Sequence, residues 1–257
     1  MFRPHPAMQT LSHRTSPLPR TPWVMHMTWH DLLFAHWRVP PEVLRPHVPP
    51  GLKIDTFDGS AWLGVIPFRM TGIRLRGAPP MPTTHRFAEI NLRTYVSHGG
   101  VRGVWFFTLD ATSCLGSAIA RRWFNLNYLD AAITCENRGD AVAYHSVRRG
   151  HGGAAEFRAV YRPVSDPFHA IPGAIEHFLT ERYCLYAADH QGRLYRGDIH
   201  HAPWPLQHAE AHIETNTMAS PLDLDLPETD HLLFARRMDV VVWWPKRLRG
   251  IAREALT

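Results

Sequence analysis

The chain has 257 residues, of which 45% are hydrophobic, 20% charged and 11% aromatic, and its formal net charge is +5. These proportions exclude a disordered or fibrous protein, and the length suffices for one domain with a sizeable core. The longest uncharged apolar run, near Val240 to Trp244, is far shorter than the roughly 18 residues of a membrane-spanning helix, so we expect no membrane anchor.

The basic residues are unusual in kind and in distribution. Of the 28, all but Lys53 and Lys246 are arginines, and they are dispersed along the chain. Nucleic-acid binding needs a concentrated basic face with interleaved aromatic residues. We therefore expect no nucleic-acid partner.

The N-terminal residues are rich in proline, arginine, serine and histidine and lack the apolar segment of a secretory signal. We expect residues 1–22 to form a disordered leader, 23–245 a single domain and 246–257 a basic tail. Met25 and Met27 leave open whether the residues before them are native. The three widely spaced cysteines, Cys114, Cys135 and Cys184, indicate buried reduced thiols rather than a disulfide or a catalytic thiol, and the missing signal segment predicts a cytoplasmic protein.

The first half of the chain predicts strands with one short helical turn. Alternation and turn residues predict strands over Leu32–Val39, Leu52–Phe57, Ser60–Met70 and Val104–Asp110, a helical turn over Glu42–Arg45 and a hairpin turn at Asp58–Gly59. Between them, Phe87 to Val96 alternates cleanly, with Glu89, Asn91 and Arg93 on one face.

The second half continues this pattern. Helices are predicted at Ser117–Trp123 and Pro172–Thr180, and strands between Asp130 and Val164 and over Tyr183–Ala187, Leu194–Ile199, Leu206–Asn216 and Met238–Trp243. Many short strands with few helices indicate a mainly β protein, a β-rich α+β chain forming an antiparallel sandwich or barrel.

Glu89 is the most unusual residue of the chain, because it lies in the middle of an alternating strand. A carboxylate facing a barrel cavity has a raised pKa and can act as an acid or a base. The alternative is a solvent-facing polar strand face on which Glu89 pairs with Arg93.

Other chemistry finds little support. His208, Glu210 and His212 share one face of a predicted strand, but histidine is scattered over the whole chain, so we expect no metal site. Nucleophile motifs and phosphate-binding glycine loops are absent from the sequence, and we expect no cofactor.

Four stretches together resemble a known bacterial family, the YqjF-like proteins of unknown function. They are Phe87–Val96, Ala120–Tyr128, Phe178–Tyr183 and Trp204–Gln207. The resemblance implies the fold of acetoacetate decarboxylase, a β-rich, cone-shaped barrel around a buried small-molecule cavity.

The same resemblance implies a changed active site. The decarboxylase forms a Schiff base on a lysine that is activated by a neighbouring lysine. Tyr128 and Leu129 occupy the positions of that pair here, while the catalytic glutamate corresponds to Glu89 and a substrate-orienting arginine to His30. This implies a protein that keeps the pocket carboxylate and lacks the covalent machinery.

We therefore expect a small-molecule ligand, either a small polar organic acid or a phenolic compound. Glu89 and Tyr128 are the expected catalytic residues, and the expected ligand-binding residues are His30, Asn91, Arg93 and Arg121, with Arg122 equally placed to face the cavity instead of Arg121. The alternative is a non-catalytic ligand sensor or partner-binding protein, with Trp204 and Trp243–Trp244 as a contact surface or as core. The sequence leaves open whether the protein forms a homo-oligomer.

Overall fold

The computed structural model describes residues 5–79, 87–112 and 126–248. Within these ranges the chain forms thirteen strands and two short α-helices. The elements are β1 (Met25–Val39), α1 (Pro41–Leu44), β2 (Lys53–Ile54), β3 (Ala61–Leu75), β4 (Phe87–His98), β5 (Val101–Thr112), β6 (Tyr128–Arg138), β7 (Ala141–Arg148), β8 (Glu156–Pro163), α2 (Ile175–Thr180), β9 (Cys184–Ala188), β10 (Leu194–His200), β11 (Gln207–Asn216), β12 (His231–Val242) and β13 (Lys246–Arg247).

The strands close into two rings that share a wall. Nine strands form a closed mixed barrel in the order β1, β3, β4, β5, β6, β7, β8, β11 and β12. A second, seven-stranded ring uses β12, β1, β3, β4 and β5 again and closes through β9 and β10. The pairs of β5 with β6 and with β9 are parallel. The expected mainly β class with few short helices is confirmed.

The five shared strands are buried on both faces over much of their length, which fits their high apolar content. On β4, Ile90, Leu92 and Val96 pack into the core of the nine-stranded ring, together with Tyr144 and Phe157. The opposite face of the same strand carries Glu89 and Arg93 into the seven-stranded ring. Because successive side chains of a strand point to opposite faces, one strand serves two interiors.

An irregularity in β1 changes which residues face which interior. Asp31 has a φ of +54°, and the pairing of β1 with β3 shifts between His30 and Ala35. Met27 precedes the shift and Phe34 follows it, yet both pack in the same cluster. Such a bulge reverses the alternation of all the side chains that follow.

Several elements differ in length from the predictions. β1 begins at Met25 and β3 runs on to Leu75, because the residues at their ends still pair with neighbouring strands. β2 is shorter than predicted, and α2 begins at Ile175. The helix predicted at Ser117–Trp123 lies outside the described residues.

The N-terminal segment differs from the expected disordered leader. From residue 5 onward it packs against the barrel, with Ala7 buried and the Arg14 guanidinium donating to the Ile199 carbonyl oxygen at 2.7 Å. The Trp243 indole donates to the Thr21 carbonyl oxygen at 2.7 Å. The predicted C-terminal tail likewise begins with β13, which pairs with β10. No helix in the described ranges is long and apolar enough to cross a membrane.

Candidate functional site

A cavity of about 120 Å³ lies within the seven-stranded ring. One water molecule needs about 10–15 Å³ of such space, so the cavity has room for a small organic molecule. Its walls come from the five shared strands, from β9 and β10, and from the residues around them. They are Met25, Met27, Trp29, Phe34, Phe68, Met70, Glu89, Arg93, Val104, Phe106, Leu109, Leu126, Tyr128, Thr180, Arg182, Leu185, Ile199, His201, Trp204 and Val242.

Most of these side chains are apolar, and only a few polar groups reach the cavity. Trp29 packs against Phe68, with ring centroids 5.5 Å apart, and against Trp204 at 6.0 Å. An apolar cavity with a few polar groups is typical of small-molecule sites. Charges inside such walls interact more strongly than they do in water.

Glu89 lies at one end of this polar set. Its side chain is buried, with 3% of the residue exposed, and the Tyr128 hydroxyl donates to Oε2 at 2.9 Å. Burial raises the pKa of Glu89 from 4.5 to about 7; hydrogen bonds from Tyr128 and Asn91 oppose this rise, and the charge of Asp110 adds to it. The solvent-facing alternative for this strand face is therefore wrong.

The backbone beneath Glu89 is held separately from its carboxylate. The buried Tyr144 hydroxyl, from β7, donates to the Glu89 carbonyl oxygen at 2.8 Å. Two tyrosines thus bond to one residue, Tyr128 at the side chain and Tyr144 at the main chain. These two hydrogen bonds fix the position of the carboxylate in the cavity wall.

Arg93 and Arg182 lie among the polar residues that line the cavity, away from Glu89 along its wall. Arg93 lies over the rings of Phe34 and Tyr95, with its Cζ atom 5.6 Å from each centroid. The Arg182 Cζ atom lies 5.0 Å from the Tyr95 centroid and 4.5 Å from that of Phe178. The Tyr95 ring therefore places both guanidinium groups in one region.

The predicted site residues are partly brought together. Glu89, Tyr128 and Arg93 line the cavity, and Asn91 is buried beside Glu89 on the same strand face. Arg121 lies outside the described residues.

His30 does not line the cavity. Met25, Met27 and Trp29 face it, so alternation places His30 on the opposite face of β1, where its Nε2 is 2.8 Å from the Thr71 hydroxyl. Burial lowers the pKa of His30, which favours the neutral ring. The alternation of apolar and polar residues before Asp31 carries this information in the sequence.

Sequence reasoning missed three polar residues of the cavity wall: Thr180, Arg182 and His201. Thr180 ends α2, Arg182 lies just after it, and His201 directly follows β10, so none of them stands in an alternating strand. Arg182 forms an ion pair with Asp55, 127 positions earlier, at 2.6 Å. Nothing local in the sequence predicts that contact, although Arg182 belongs to one of the four stretches of the resemblance.

None of the lysines and cysteines in the described ranges lines the cavity. Lys53 and Lys246 are both exposed on short strands, and neither lines it. Burial raises the pKa of Cys135 and of Cys184 to about 11, so both thiols are protonated at neutral pH.

The candidate metal and contact residues fall elsewhere. His208 and His212 are on the exposed face of β11, and in the described ranges no three metal-binding side chains converge. Trp204 and Trp243 are buried, whereas Trp244 is 46% exposed.

Comparison with known proteins finds a matching family model and a similar bacterial protein. The family model DUF2071, described as an uncharacterized conserved protein, matches residues 26–239. The uncharacterized protein YqjF of Bacillus subtilis (strain 168) is 45% identical over 225 residues, which cover 88% of this chain and 92% of YqjF. The resemblance to YqjF-like proteins is thereby confirmed.

Solved structures share the fold at low identity. The enduracididine biosynthesis enzyme MppR complexed with pyruvate superposes with a TM-score of 0.61 at 12% identity, covering 90% of this chain and 93% of MppR. An acetoacetate decarboxylase-like enzyme from Sphingomonas wittichii RW1 gives a TM-score of 0.60 at 16% identity, covering 94% of this chain and 99% of that one. Acetoacetate decarboxylase from Legionella pneumophila gives 0.57 at 10% identity, with 91% and 93% covered.

Proposed function

The chain belongs to the DUF2071 family, and we propose that it binds a small organic molecule in the cavity and exchanges a proton with it at Glu89, without a covalent intermediate. One observation carries this proposal: a carboxyl group with a pKa of about 7 lines an apolar cavity and accepts a hydrogen bond from Tyr128. A general base works best when its pKa is near the working pH.

The chemistry that suits this pair is removal of a proton from carbon next to a carbonyl group. The proton passes from the ligand carbon to a carboxylate oxygen of Glu89, and the electron pair moves onto the carbonyl oxygen. Once protonated, Glu89 is a weaker acceptor, and the Tyr128 hydroxyl turns to the developing oxyanion. Return of a proton to the carbon completes the exchange.

The lysines support a non-covalent mechanism. A Schiff base needs a neutral amine next to the ligand. Lys53 and Lys246 are exposed outside the cavity, and arginine stays protonated and cannot act as the nucleophile. The relatives of this fold support the ligand class, since MppR is complexed with pyruvate, a small oxo acid.

The test is hydrogen–deuterium exchange at carbon, followed by proton NMR in deuterated buffer. Small ketones and oxo acids are incubated with the native protein, with Glu89→Gln and with the control Glu156→Gln, which alters a partly exposed hydrogen bond to His145 away from the cavity. We expect Glu89→Gln to slow the exchange by about 10²-fold or more, and Glu156→Gln to leave it unchanged.

The same preparations give two further outcomes. Borohydride added with a carbonyl ligand is expected to label neither lysine, and a lysine adduct would contradict the non-covalent proposal. Thermal stabilisation by a phenol or an acid without any exchange would instead favour the sensor alternative, since a ligand at 100 times its Kd adds about 2.7 kcal/mol of stability.

A further inference from the structure

We propose that Arg93 and Arg182 form a carboxylate-binding end of the cavity, and that the ligand is an oxo acid whose carboxylate lies several bonds from the carbon that exchanges its proton with Glu89. Only the part of this inference that concerns proton exchange at Glu89 rests on the proposed function. It selects an organic acid over a neutral phenol.

Arg182 has donor capacity that the described chain does not use. The residue is 5% exposed; its Nη1 donates to Asp55 at 2.6 Å and its Nε to the Phe178 carbonyl oxygen at 2.8 Å. Its Nη2 is buried and has no partner in the described chain. A buried donor without a partner is costly, and Arg182 lines the cavity, so a ligand oxygen there gains this hydrogen bond.

Arg93 repeats the pattern. Its Nη2 donates to the Tyr95 hydroxyl at 3.3 Å, while its buried Nε has no partner. Within the described ranges no carboxylate forms an ion pair with Arg93, so its charge faces a mostly apolar cavity uncompensated. A guanidinium fork suits a carboxylate better than any neutral group.

The charge at the Tyr95 end of the cavity is positive, which is the sign that attracts a carboxylate. Asp55 is shared between Arg182 and Arg102, whose Nε lies 3.4 Å from the same carboxylate oxygen. Arg102 is half-exposed, so water screens its charge; the charges that face the cavity are those of Arg93 and Arg182, and Asp55 is the only carboxylate paired with either of them in the described ranges. This excess of positive charge favours an anion at the Tyr95 end of the cavity.

The two ends are separated along β4. Glu89 and Arg93 are four residues apart on one strand face, which corresponds to about 13 Å between their backbones. The side chains take up part of this length, and the rest fits a chain of several atoms. An acid whose carbonyl adjoins its carboxylate is too short to reach both ends at once.

The test is calorimetric titration of a graded series in which each acid has its own uncharged control. The probes are pyruvate, 4-oxopentanoate, 5-oxohexanoate and their methyl esters. We expect the two longer acids to bind at least about tenfold more tightly than their esters and than pyruvate. Arg93→Gln is expected to reduce the preference for acid over ester to within about threefold.

Matched variants keep the result interpretable. Arg102→Gln is the control, because Arg102 contacts the same Asp55 and Phe178 but does not line the cavity; it should retain the preference. Arg182→Gln also disrupts the Asp55 pair, so Arg182→Lys, which keeps the charge and loses the fork, is measured beside it and should weaken binding of the acids more than binding of the esters.

The outcomes separate this inference from the proposed function. Glu89→Gln should keep the preference for acids, so loss of carbon exchange with that preference intact overturns only the proton-transfer proposal. Equal binding of acids and esters, no binding of either longer acid, or an unchanged preference in Arg93→Gln overturns the carboxylate end.

Discussion

Arg148 and Asp110 form a two-pronged ion pair in which neither side chain has any exposed surface. The Arg148 Nε donates to Oδ2 of Asp110 at 2.7 Å and its Nη2 to Oδ1 at 2.8 Å. The remaining Nη1 donates to the Gly152 carbonyl oxygen. The pair joins β5 to the end of β7, next to the strand that carries Glu89.

This pair leads to a prediction about stability. Arg148→Met leaves the Asp110 carboxylate buried without its cation, so we expect a loss of about 3–5 kcal/mol in the free energy of unfolding. The control is Arg162→Gln, which breaks an exposed ion pair to Glu210 and should cost about 1 kcal/mol or less. Urea denaturation of both variants measures the difference, and equal effects would contradict it.

The raised pKa of Glu89 makes stability depend on pH. Its pKa is about 7 in the folded chain against 4.5 ordinarily, so the folded state binds more protons between those values and stability falls as pH rises through them. Glu89→Gln removes this dependence. Relative to that variant, we expect the native free energy of unfolding to fall by roughly 3 kcal/mol between about pH 4.5 and 7. Denaturation across this range tests it, and parallel pH profiles would refute the assigned pKa.

The two tyrosines that bond to Glu89 offer a matched comparison. Tyr128→Phe removes a hydrogen bond that lowers the pKa of Glu89, so we expect its titration to move up by about one pH unit or more. Tyr144→Phe removes a bond to the Glu89 carbonyl oxygen instead and should leave the titration close to pH 7. Carbon-13 NMR of labelled glutamate follows both, and identical shifts would show that Tyr128 does not act on the carboxylate.

Gly103 permits the contact that closes the seven-stranded ring. A Cβ atom there would lie 2.7 Å from the Cys184 carbonyl oxygen and 2.8 Å from the Tyr186 ring. We therefore expect Gly103→Ala to cost about 1–3 kcal/mol and to loosen the pairing of β5 with β9. The control Gly197→Ala meets only the flexible Leu185 side chain, at 3.2 Å, and should cost less. Thermal unfolding compares them; a larger effect at Gly197 would contradict the argument.

The sequence predicted the strands better than the way in which they close. Clean alternation from Phe87 to Val96 was enough to place Glu89 and Arg93 on one face. It does not predict that both faces of β4 are enclosed, because alternation describes a single strand and does not show that this strand separates two interiors.

The errors in the site have specific causes. Position within the family resemblance predicts that His30 lies in the cavity, whereas the side that it faces depends on the local alternation before the bulge at Asp31. Arg182 faces the cavity through an ion pair with distant Asp55, and single-sequence patterns do not encode such pairs. The N-terminal segment is held by apolar packing against Trp243 and by hydrogen bonds to backbone carbonyl groups, and its composition does not indicate these distant partners.

The shared wall has a consequence for how ligand choice can change during evolution. A substitution on β1, β3, β4, β5 or β12 alters a strand that also encloses the larger core, so most such changes are constrained by folding. β9 and β10 belong to the smaller ring alone, and they supply Leu185 and Ile199 to its interior. Under the proposed function, relatives can therefore diverge in what they bind through these two strands while the rest of the barrel stays unchanged.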